Sequence, residues 1–366
     1  MKSKMGKKLA ILISACLVFA FTPCILLSTL EDVPVMYAHF INVGQGDASL
    51  LEFPCGAILI DTGAQDNDYV DKLIDYLNAF FAKRNDLDRT LASMFITHDH
   101  PDHIKGLEEV LNNFKVKRLI YNGKARTNEP GEFGRVLRQK NKYSLDIEAV
   151  TFEKVILKGN RRGLTDSIID PIKCDDCDPK ILVLSGGFEK NPGWTAKEYG
   201  NKNNHSLVIR IDFGGSSFLF TGDLEKDGIE KVVEYYKQAT TAGPCLLDTD
   251  VYRVGHHGSY NATTAPLLDV VTPDIAIISV GKWDFGRGSS NLFTTYAYGH
   301  PRKDTLDLLT LSLKQYRNEP LSAKVAIGPR KFVVYTIRKK IYATAWDKNI
   351  IVSASLDGKY NVAINN

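Results

Sequence analysis

The sequence predicts an α/β protein in which two β-sheets pack face to face and helices cover both outer faces, an αββα sandwich. Two observations lead to this prediction. Both halves of the chain open with short strand-like runs, and each half then joins further strands through helix-like segments. The composition is that of an ordinary globular chain, since 44% of the 366 residues are hydrophobic and 24% are charged. A disordered or fibrous protein is therefore excluded.

The elements of the first half follow from short periodic runs. Strands are predicted at 36–43, 48–53 and 57–63, because apolar runs there alternate with turn residues. Apolar residues at helical spacing predict a helix from about Asp68 to Phe81, and a second helix over 104–114 follows a strand at 91–97. These elements are expected to form one sheet with its helices.

The second half repeats this alternation. Gly214-Gly215 predicts a hairpin between strands at 207–213 and 216–223. Strands at 250–254 and 274–280 then alternate with helices at 229–236, 264–271 and 304–313. From Lys331 onward the apolar period is two, with turns at 347–349 and 357–358, which predicts a β-meander.

The N-terminus has the pattern of an export signal. Lys2, Lys4, Lys7 and Lys8 precede residues 9–30, which carry no charge. The apolar run is longer than the roughly 7–15 residues of a cleaved signal and close to the ~20 that span a bilayer, so a cleaved signal and an uncleaved membrane anchor both fit. Residues 1–34 are therefore assigned to a signal peptide or anchor and 35–366 to the folded domain, which is expected outside the cytoplasm.

The charge balance argues against a globally basic nucleic-acid binder. The net charge is +3, and without the four N-terminal lysines the remaining residues sum to −1. One local exception lies between Lys115 and Tyr143, where nine Lys or Arg residues stand against Glu129 and Glu132. This stretch belongs to an irregular segment, about 119–200, that we interpret as an insertion. It could receive an anionic substrate, and an ordinary solvated surface explains it equally well.

The cysteines suggest an oxidising compartment. Cys55, Cys174, Cys177 and Cys245 follow the N-terminal segment, an even number that is compatible with disulfides. No second cysteine pair accompanies Cys174 and Cys177, so a local disulfide or two free thiols is expected there rather than a zinc site.

Residues 97–103, THDHPDH, are the strongest functional signal. His98, His100, Asp102 and His103 lie between a predicted strand and a predicted helix. Imidazole and carboxylate are ligands that divalent zinc, manganese and iron accept, and the spacing allows two metal positions. The sequence therefore predicts a metal centre on this loop.

Further ligands are expected at other strand ends. The hairpin at 214–215 should return Asp223 beside His205, where a carboxylate could bridge two metals. His256 and His257 follow the strand at 250–254, and His300 follows one strand later. His39, at the start of the first strand, is interpreted as a structural residue.

These motifs resemble the metallo-β-lactamase superfamily, whose mark is the H-x-H-x-D-H loop seen at 98–103. More narrowly, HFINVGQGDASLLEF, ITHDHPDHIKG, FLFTGDLE, VGHHGSYNATTAPLLDVV and YGHP look, in that order, like the hydrolase domain of ComEC-type competence proteins and its free-standing extracellular relatives. The resemblance implies the metallo-β-lactamase fold and a binuclear centre.

The resemblance also implies a role for each ligand. One metal would be held by His98, His100 and His205, the other by Asp102, His103 and His256, with Asp223 bridging them and Asp61 supporting the ligands. In some members the last ligand comes one strand later, which would make His300 the ligand and leave His256 or His257 to handle the proton. Zinc is the expected metal, with manganese as the alternative.

The expected activity is hydrolysis by a hydroxide shared between the two metals. Asp102 would help to hold it, and His257 or His300 would protonate the leaving oxygen. The resemblance implies a phosphodiester substrate, either nucleic acid or a choline-phosphate ester. Hydrolysis of another ester or of a lactam, and a non-catalytic surface module stabilised by metals, are the alternatives. No protein partner is predicted, and the membrane is a partner only through an uncleaved N-terminal segment.

Overall fold

Two β-sheets form the centre of the protein, in a computed structural model that describes residues 33–128, 130–237 and 245–365. The strands of the described residues are β1 (Val35–Phe40), β2 (Ser49–Phe53), β3 (Gly56–Ile60), β4 (Thr90–Leu91), β5 (Ser93–Ile96), β6 (Lys115–Val116), β7 (Arg118–Tyr121), β8 (Asp146–Ala149), β9 (Lys180–Ser185), β10 (Val208–Phe213), β11 (Ser216–Phe220), β12 (Val251–Arg253), β13 (Ile275–Ile278), β14 (Tyr316–Gly328), β15 (Lys331–Lys339), β16 (Ile341–Ala343), β17 (Asn349–Ser355) and β18 (Tyr360–Asn365).

Helices connect most of these strands. Those of the described residues are α1 (Asn67–Lys83), α2 (Pro101–Ile104), α3 (Leu107–Asn113), α4 (Glu132–Arg138), α5 (Phe152–Lys154), α6 (Ala196–Gly200), α7 (Lys226–Lys237), α8 (Ala265–Val271), α9 (Thr295–Tyr298), α10 (Lys303–Ser312) and α11 (Thr344–Asp347). The predicted helix over 68–81 is confirmed as α1. Its N-cap is Asp66, whose carboxylate accepts a hydrogen bond from the Tyr69 N–H.

The sheets have strand orders that bring distant parts of the chain together. The larger sheet has the order β18-β17-β1-β2-β3-β5-β7-β8, and the smaller has the order β16-β13-β12-β11-β10-β9. The predicted hairpin at 214–215 is confirmed, because β10 and β11 pair antiparallel across it. Parallel pairing of β11, β12 and β13 then aligns the ends of these strands at one edge of the smaller sheet.

The core has three layers of side chains, as an αββα sandwich requires. In β3, Ile58 and Ile60 lie in the cluster between the two sheets, whereas Ala57 and Leu59 face the helices. This period of two follows from the pleat of the strand. Helices α1 and α3 cover the larger sheet, and α7, α8 and α10 cover the smaller one. The predicted fold class is confirmed.

The irregular segment 119–200 contributes to both sheets. It supplies most of β7 and all of β8 to the larger sheet, and β9 to the smaller one. Long connections separate these strands, so the sequence does not show the regular alternation of strands and helices that marks the other parts of the sandwich. The segment is therefore part of the sandwich as well as the source of its longest loops.

The tail does not form the single meander that its period predicts. β15 pairs with β14 in a separate hairpin, β16 joins the smaller sheet, and β17 and β18 join the larger one. The prediction of β structure is correct, but its pairing is wrong because period two fixes the faces of a strand and not its neighbours.

The predicted signal or anchor, residues 1–34, lies almost entirely outside the described residues. Within the part of the chain that the structure describes, we find no helix with the length and apolar character needed to cross a bilayer.

Among the described residues, one disulfide joins the first sheet to the irregular segment 119–200. Cys55, in the turn between β2 and β3, is bonded to Cys174, which precedes β9. Cys177 and Cys245 are free thiols. The expected choice between a local Cys174–Cys177 bond and two free thiols is therefore wrong, because the fold brings a cysteine 119 residues away against Cys174.

We expect the double replacement of Cys55 and Cys174 by Ser to lower the free energy of unfolding. Closing a loop of this length restricts the unfolded chain, so the loss should be about 2–5 kcal/mol. Urea unfolding of the variant and the wild type measures it. The matched control is Cys245→Ser, which removes a free thiol and should leave stability nearly unchanged. Equal unfolding midpoints for all three proteins would contradict a stabilising bond.

His39 has the structural role that the sequence predicts. Its ring is nearly buried, with Nδ1 2.8 Å from the Tyr76 hydroxyl and Nε2 3.3 Å from a Glu52 carboxylate oxygen. Arg84 also donates to Glu52 at 2.8 Å. Burial alone would raise the pKa of Glu52, but the hydrogen bonds from His39 and Arg84 outweigh it and lower the pKa.

Glu52→Gln should therefore destabilise the protein at neutral pH and much less in acid. A carboxylate with a lowered pKa in the folded state stabilises above its unfolded pKa, about 4.3, and loses this contribution as the pH falls through the folded value. We expect a difference of about 1–2 kcal/mol at pH 7, since both partners are hydrogen-bonded to a charged group. Unfolding of both proteins at pH 7 and pH 3 tests this, and a difference that does not shrink at low pH would contradict it.

Candidate metal centre

The candidate centre lies where the ends of several strands meet. Asp61 follows β3, the 97–103 loop follows β5, Asp223 follows β11, and His257 follows β12. The order of strands within each sheet and the packing of the sheets bring these ends together. The sequence prediction that distant strand ends converge on one site is correct for these residues.

Four side chains form a tight cluster. Asp102, His103, Asp223 and His257 each offer one ligand atom, and these atoms all lie within 4.8 Å of one another. Asp223 is central, with Oδ1 3.1 Å from His103 Nε2 and Oδ2 3.5 Å from His257 Nε2. His257 Nε2 is also 3.1 Å from an Asp102 oxygen. Carboxylates and imidazoles in this arrangement suit divalent cations.

Asp61 orients the loop that carries the histidines. Its carboxylate accepts hydrogen bonds from the Thr97 N–H and hydroxyl, both at 2.7 Å, and from His103 Nδ1 at 2.7 Å. The Nδ1 proton of His103 is therefore fixed, and Nε2 points toward Asp223. This is the supporting contact that metal-binding histidines usually have.

His98 and His100 lie next to the cluster. His98 Nε2 is 3.0 Å from His100 Nδ1, and the centroids of the His98 and His103 rings are 4.2 Å apart. The two histidines therefore lie beside the cluster, and their role as ligands of a first metal stays a prediction.

His257, and not His256, contributes to the cluster. Its Nδ1 donates to the Ser279 carbonyl at 2.7 Å, which leaves Nε2 for the cluster. His256 Nε2 is 3.8 Å from Asp223, and its Nδ1 is 3.2 Å from Glu225. The structure therefore places His257, which is expected to handle the proton, in the cluster, whereas His256, the expected ligand, lies beside it. Both residues have positive φ, 47° and 52°, and this turn geometry decides which ring faces inward.

His205 does not reach the centre. Its Nδ1 accepts a hydrogen bond from the Phe188 N–H at 3.0 Å, and its Nε2 donates to the Tyr199 carbonyl at 2.7 Å. With both nitrogens used, the ring packs among Phe188, Trp194 and Tyr199. The prediction of His205 as a ligand is wrong, because the residue lies in a turn three residues before β10 and its side chain turns into the 119–200 segment.

His300 lines the centre without joining the cluster. Its ring lies 5.4 Å from that of His256 and 6.2 Å from that of His257, between centroids. Burial lowers the pKa of His300 well below its usual range, and the two neighbouring histidines lower it further. The role of His300 as proton donor to the leaving group stays a prediction.

Two charged residues behind the cluster were not predicted. Arg253 is 1% exposed, and its Nη2 lies 2.8 Å from an Asp47 oxygen. Its Nη1 donates to the Gly222 carbonyl at 2.7 Å and lies 3.7 Å from Asp223. A sequence signal existed, because an arginine inside the apolar strand 250–254 must find a partner on burial.

A close backbone approach fixes the same region. A Cβ on Gly63 would lie 1.6 Å from the Asp102 carbonyl oxygen. The Asp47 N–H donates to that oxygen at 2.9 Å. The Gly44–Asp47 turn therefore shapes the backbone around Asp102.

The side chains fit divalent cations. His103 Nε2 and Asp223 Oδ1 are buried and, although 3.1 Å apart, make no hydrogen bond. Burial alone would lower the pKa of His103, but Asp223 and Asp61 raise it well above its usual range. This concentration of negative charge around imidazole nitrogens is what a cation would neutralise.

A cavity of about 480 Å³ lies beside the metal-binding loop. Asp99, Lys105, Phe133 and Lys202 are among its lining residues. Lys202 donates to Asp99 at 2.6 Å. The cavity has the size of a small-molecule or nucleotide subsite.

A family model described as the metallo-beta-lactamase superfamily matches residues 41–282. The chain belongs to this superfamily, and its class is that of metal-dependent hydrolases. Within the superfamily, it is a relative of the ComEC-type competence proteins.

Two relatives define this similarity. ComE operon protein 3 of Bacillus subtilis (strain 168) is 30% identical over 285 residues, which cover 74% of this chain and 30% of that protein. Recombination protein 2 of Haemophilus influenzae is 28% identical over 251 residues, 69% of this chain and 25% of that protein. The chain thus spans less than a third of the length of these curated relatives.

Among solved structures, the metallo-beta-lactamase fold protein YhfI from Bacillus subtilis has a TM-score of 0.32 and 12% identity. The match covers 60% of this chain and 70% of that chain.

Proposed function

We propose that this chain is an extracytoplasmic phosphodiesterase or nuclease that uses two divalent metal ions, zinc in the first instance. The observation that carries the proposal is the central position of Asp223, with one carboxylate oxygen 3.1 Å from His103 and the other 3.5 Å from His257. Both histidines belong to one proposed set of ligands, and His98 of the other set lies against His103 with ring centroids 4.2 Å apart, so Asp223 is the carboxylate best placed to be shared.

The protein's own residues supply the binding and orientation. His98 and His100 would hold one cation, Asp102, His103 and His257 the other, with Asp223 between them. When bound, the two cations lower the pKa of a water molecule and polarise the scissile bond. His300, buried beside His257, would exchange a proton with the reacting groups or orient the substrate.

The choice of substrate rests on charge and relatives. Lys105 and Lys202 line the cavity beside the loop, where Asp99 and Glu132 balance their charge, and the basic stretch between Lys115 and Tyr143 adds exposed cations such as Arg126. Cations of this kind favour an anionic substrate. The similarity to competence proteins favours nucleic acid among anionic substrates.

The location outside the cytoplasm has two supports. The Lys-rich start and the uncharged run 9–30 have the pattern of an export signal. The Cys55–Cys174 disulfide suits an oxidising compartment.

The test compares three substrates and the metal content of one preparation. Bis(p-nitrophenyl) phosphate and DNA should be hydrolysed, nitrocefin should not, and elemental analysis should find about two divalent ions per chain. Hydrolysis of nitrocefin alone would support the lactam alternative. Metal without any hydrolysis would support the non-catalytic module, and either result would overturn the proposal.

A further inference from the structure

A series of aromatic rings leads from the metal centre to the surface. The His257 and His300 rings are stacked with their planes 27° apart, and the Tyr298 ring stacks on His300 at 5.7 Å with planes 11° apart. Phe293 then lies 6.1 Å from Tyr298, between centroids. The rings therefore form a continuous path between a candidate metal ligand and solvent.

The outer end of this path is exposed. Phe293 is 74% exposed, Leu292 is 63% exposed, and Tyr298 is 40% exposed. Tyr298 also borders the centre, since its ring stacks on that of His300. Large apolar side chains that adjoin a catalytic centre and remain in contact with water mark a binding surface.

A cation accompanies the aromatic surface. The Arg302 guanidinium lies 5.3 Å from the centroid of the Tyr260 ring, and Tyr260 is 58% exposed. Arg302 follows His300 directly after Pro301. The Arg302 backbone N–H donates to the Gly258 carbonyl at 2.9 Å. The loop with His256 and His257 therefore also carries Tyr260, and the loop with His300 also carries Arg302.

We propose that Phe293 and Tyr298 form a stacking subsite for an unpaired base of a nucleic-acid substrate, beside the metal centre. The inference rests on the proposed function and adds how the substrate is held. A base that stacks on these rings would place its neighbouring phosphate toward the histidines, where Arg302 adds positive charge. Aromatic side chains next to cations are the usual means of binding single strands without sequence preference.

The alternatives fit these observations less well. A lipid chain would bind to any apolar surface, so it explains neither the stacked rings nor the cation beside them. A base inside a duplex has no free face, so the subsite selects single strands or ends. Paired and unpaired substrates therefore have different expected affinities.

Binding of two labelled oligonucleotides to the full chain as purified tests the subsite. One probe is a thymidine octamer and the other is an octamer of abasic sites with the same phosphates, and fluorescence anisotropy measures each affinity while cleavage is followed in parallel. The wild type should bind the thymidine probe about tenfold to a hundredfold more tightly, as expected for stacking of a base. Phe293→Ala should lose most of this preference and bind the abasic probe as before, and Phe293→Trp should retain it.

Leu311→Ala is the matched control, because Leu311 is 84% exposed on α10 and belongs to a different surface. Equal affinity of the wild type for the two probes, or an unchanged preference in Phe293→Ala, would overturn the subsite. Hydrolysis is scored separately. Cleavage of both probes at equal rates would leave the proposed phosphodiesterase intact without the subsite, whereas stacking without cleavage of any diester would leave the subsite and remove the proposed activity.

Discussion

Asp223→Ala should abolish hydrolysis and release metal from the protein. Asp223 is the only described side chain whose two carboxylate oxygens lie near His103 and His257 at once, at 3.1 Å and 3.5 Å. Mutation of residues that merely support metal ligands costs about 10–100-fold in metal affinity or activity, so loss of a shared ligand should cost at least about 100-fold. Elemental analysis and hydrolysis of bis(p-nitrophenyl) phosphate measure the two effects.

The control for this variant is Asp71→Ala, which removes an exposed carboxylate from α1. It should keep the metal content and the activity of the wild type. Asp223→Asn separates the charge from the shape of the side chain, since it fills the same space without the negative charge. Wild-type turnover and full metal content in Asp223→Ala would show that the carboxylate is not a ligand.

Arg253→Met should cause the largest loss of stability among single substitutions near the centre. The guanidinium is buried and lies 2.8 Å from Asp47, so its removal leaves a carboxylate without a counter-charge in the interior. Breaking a buried ion pair on one side costs about 3–5 kcal/mol. Urea unfolding of the variant measures this change.

Two further variants identify its cause. Arg253→Met combined with Asp47→Asn removes both charges and should recover part of the stability, because the uncompensated carboxylate is gone. Arg162→Met removes an exposed guanidinium and should change the free energy of unfolding by less than about 0.5 kcal/mol. If the double variant is less stable than Arg253→Met, the ion pair is not the source of the effect.

The sequence carries most of the information about the fold. Alternation in β3 separates Ile58 and Ile60 from Leu59, and helical spacing in α1 places Leu73 and Leu77 on one buried face. These patterns are local, so they can be recognised without knowing the partners. The pairing of β1 with β17 and the Cys55–Cys174 bond depend on contacts between distant residues, which no local period encodes.

The same distinction applies to the candidate site. Strand ends bring Asp102, His103 and Asp223 into the cluster and His98 and His100 beside it, because chain position determines where they lie; their roles as ligands stay predictions. His205, His256 and His257 sit in turns, and there the backbone dihedrals and nearby acceptors decide where each ring points. The Tyr199 carbonyl holds His205 away from the centre, and Glu225 holds His256.

The disulfide and the metal-binding residues lie at opposite ends of β3, since Cys55 precedes this strand and Asp61 follows it. Reduction would therefore loosen the far end of the sandwich and leave every ligand contact in place. Exposure to thiols should therefore lower the resistance of the protein to heat and proteolysis. The turnover rate of the molecules that remain folded should not change. Opposite ends of β3 thus contribute to stability and to the candidate activity.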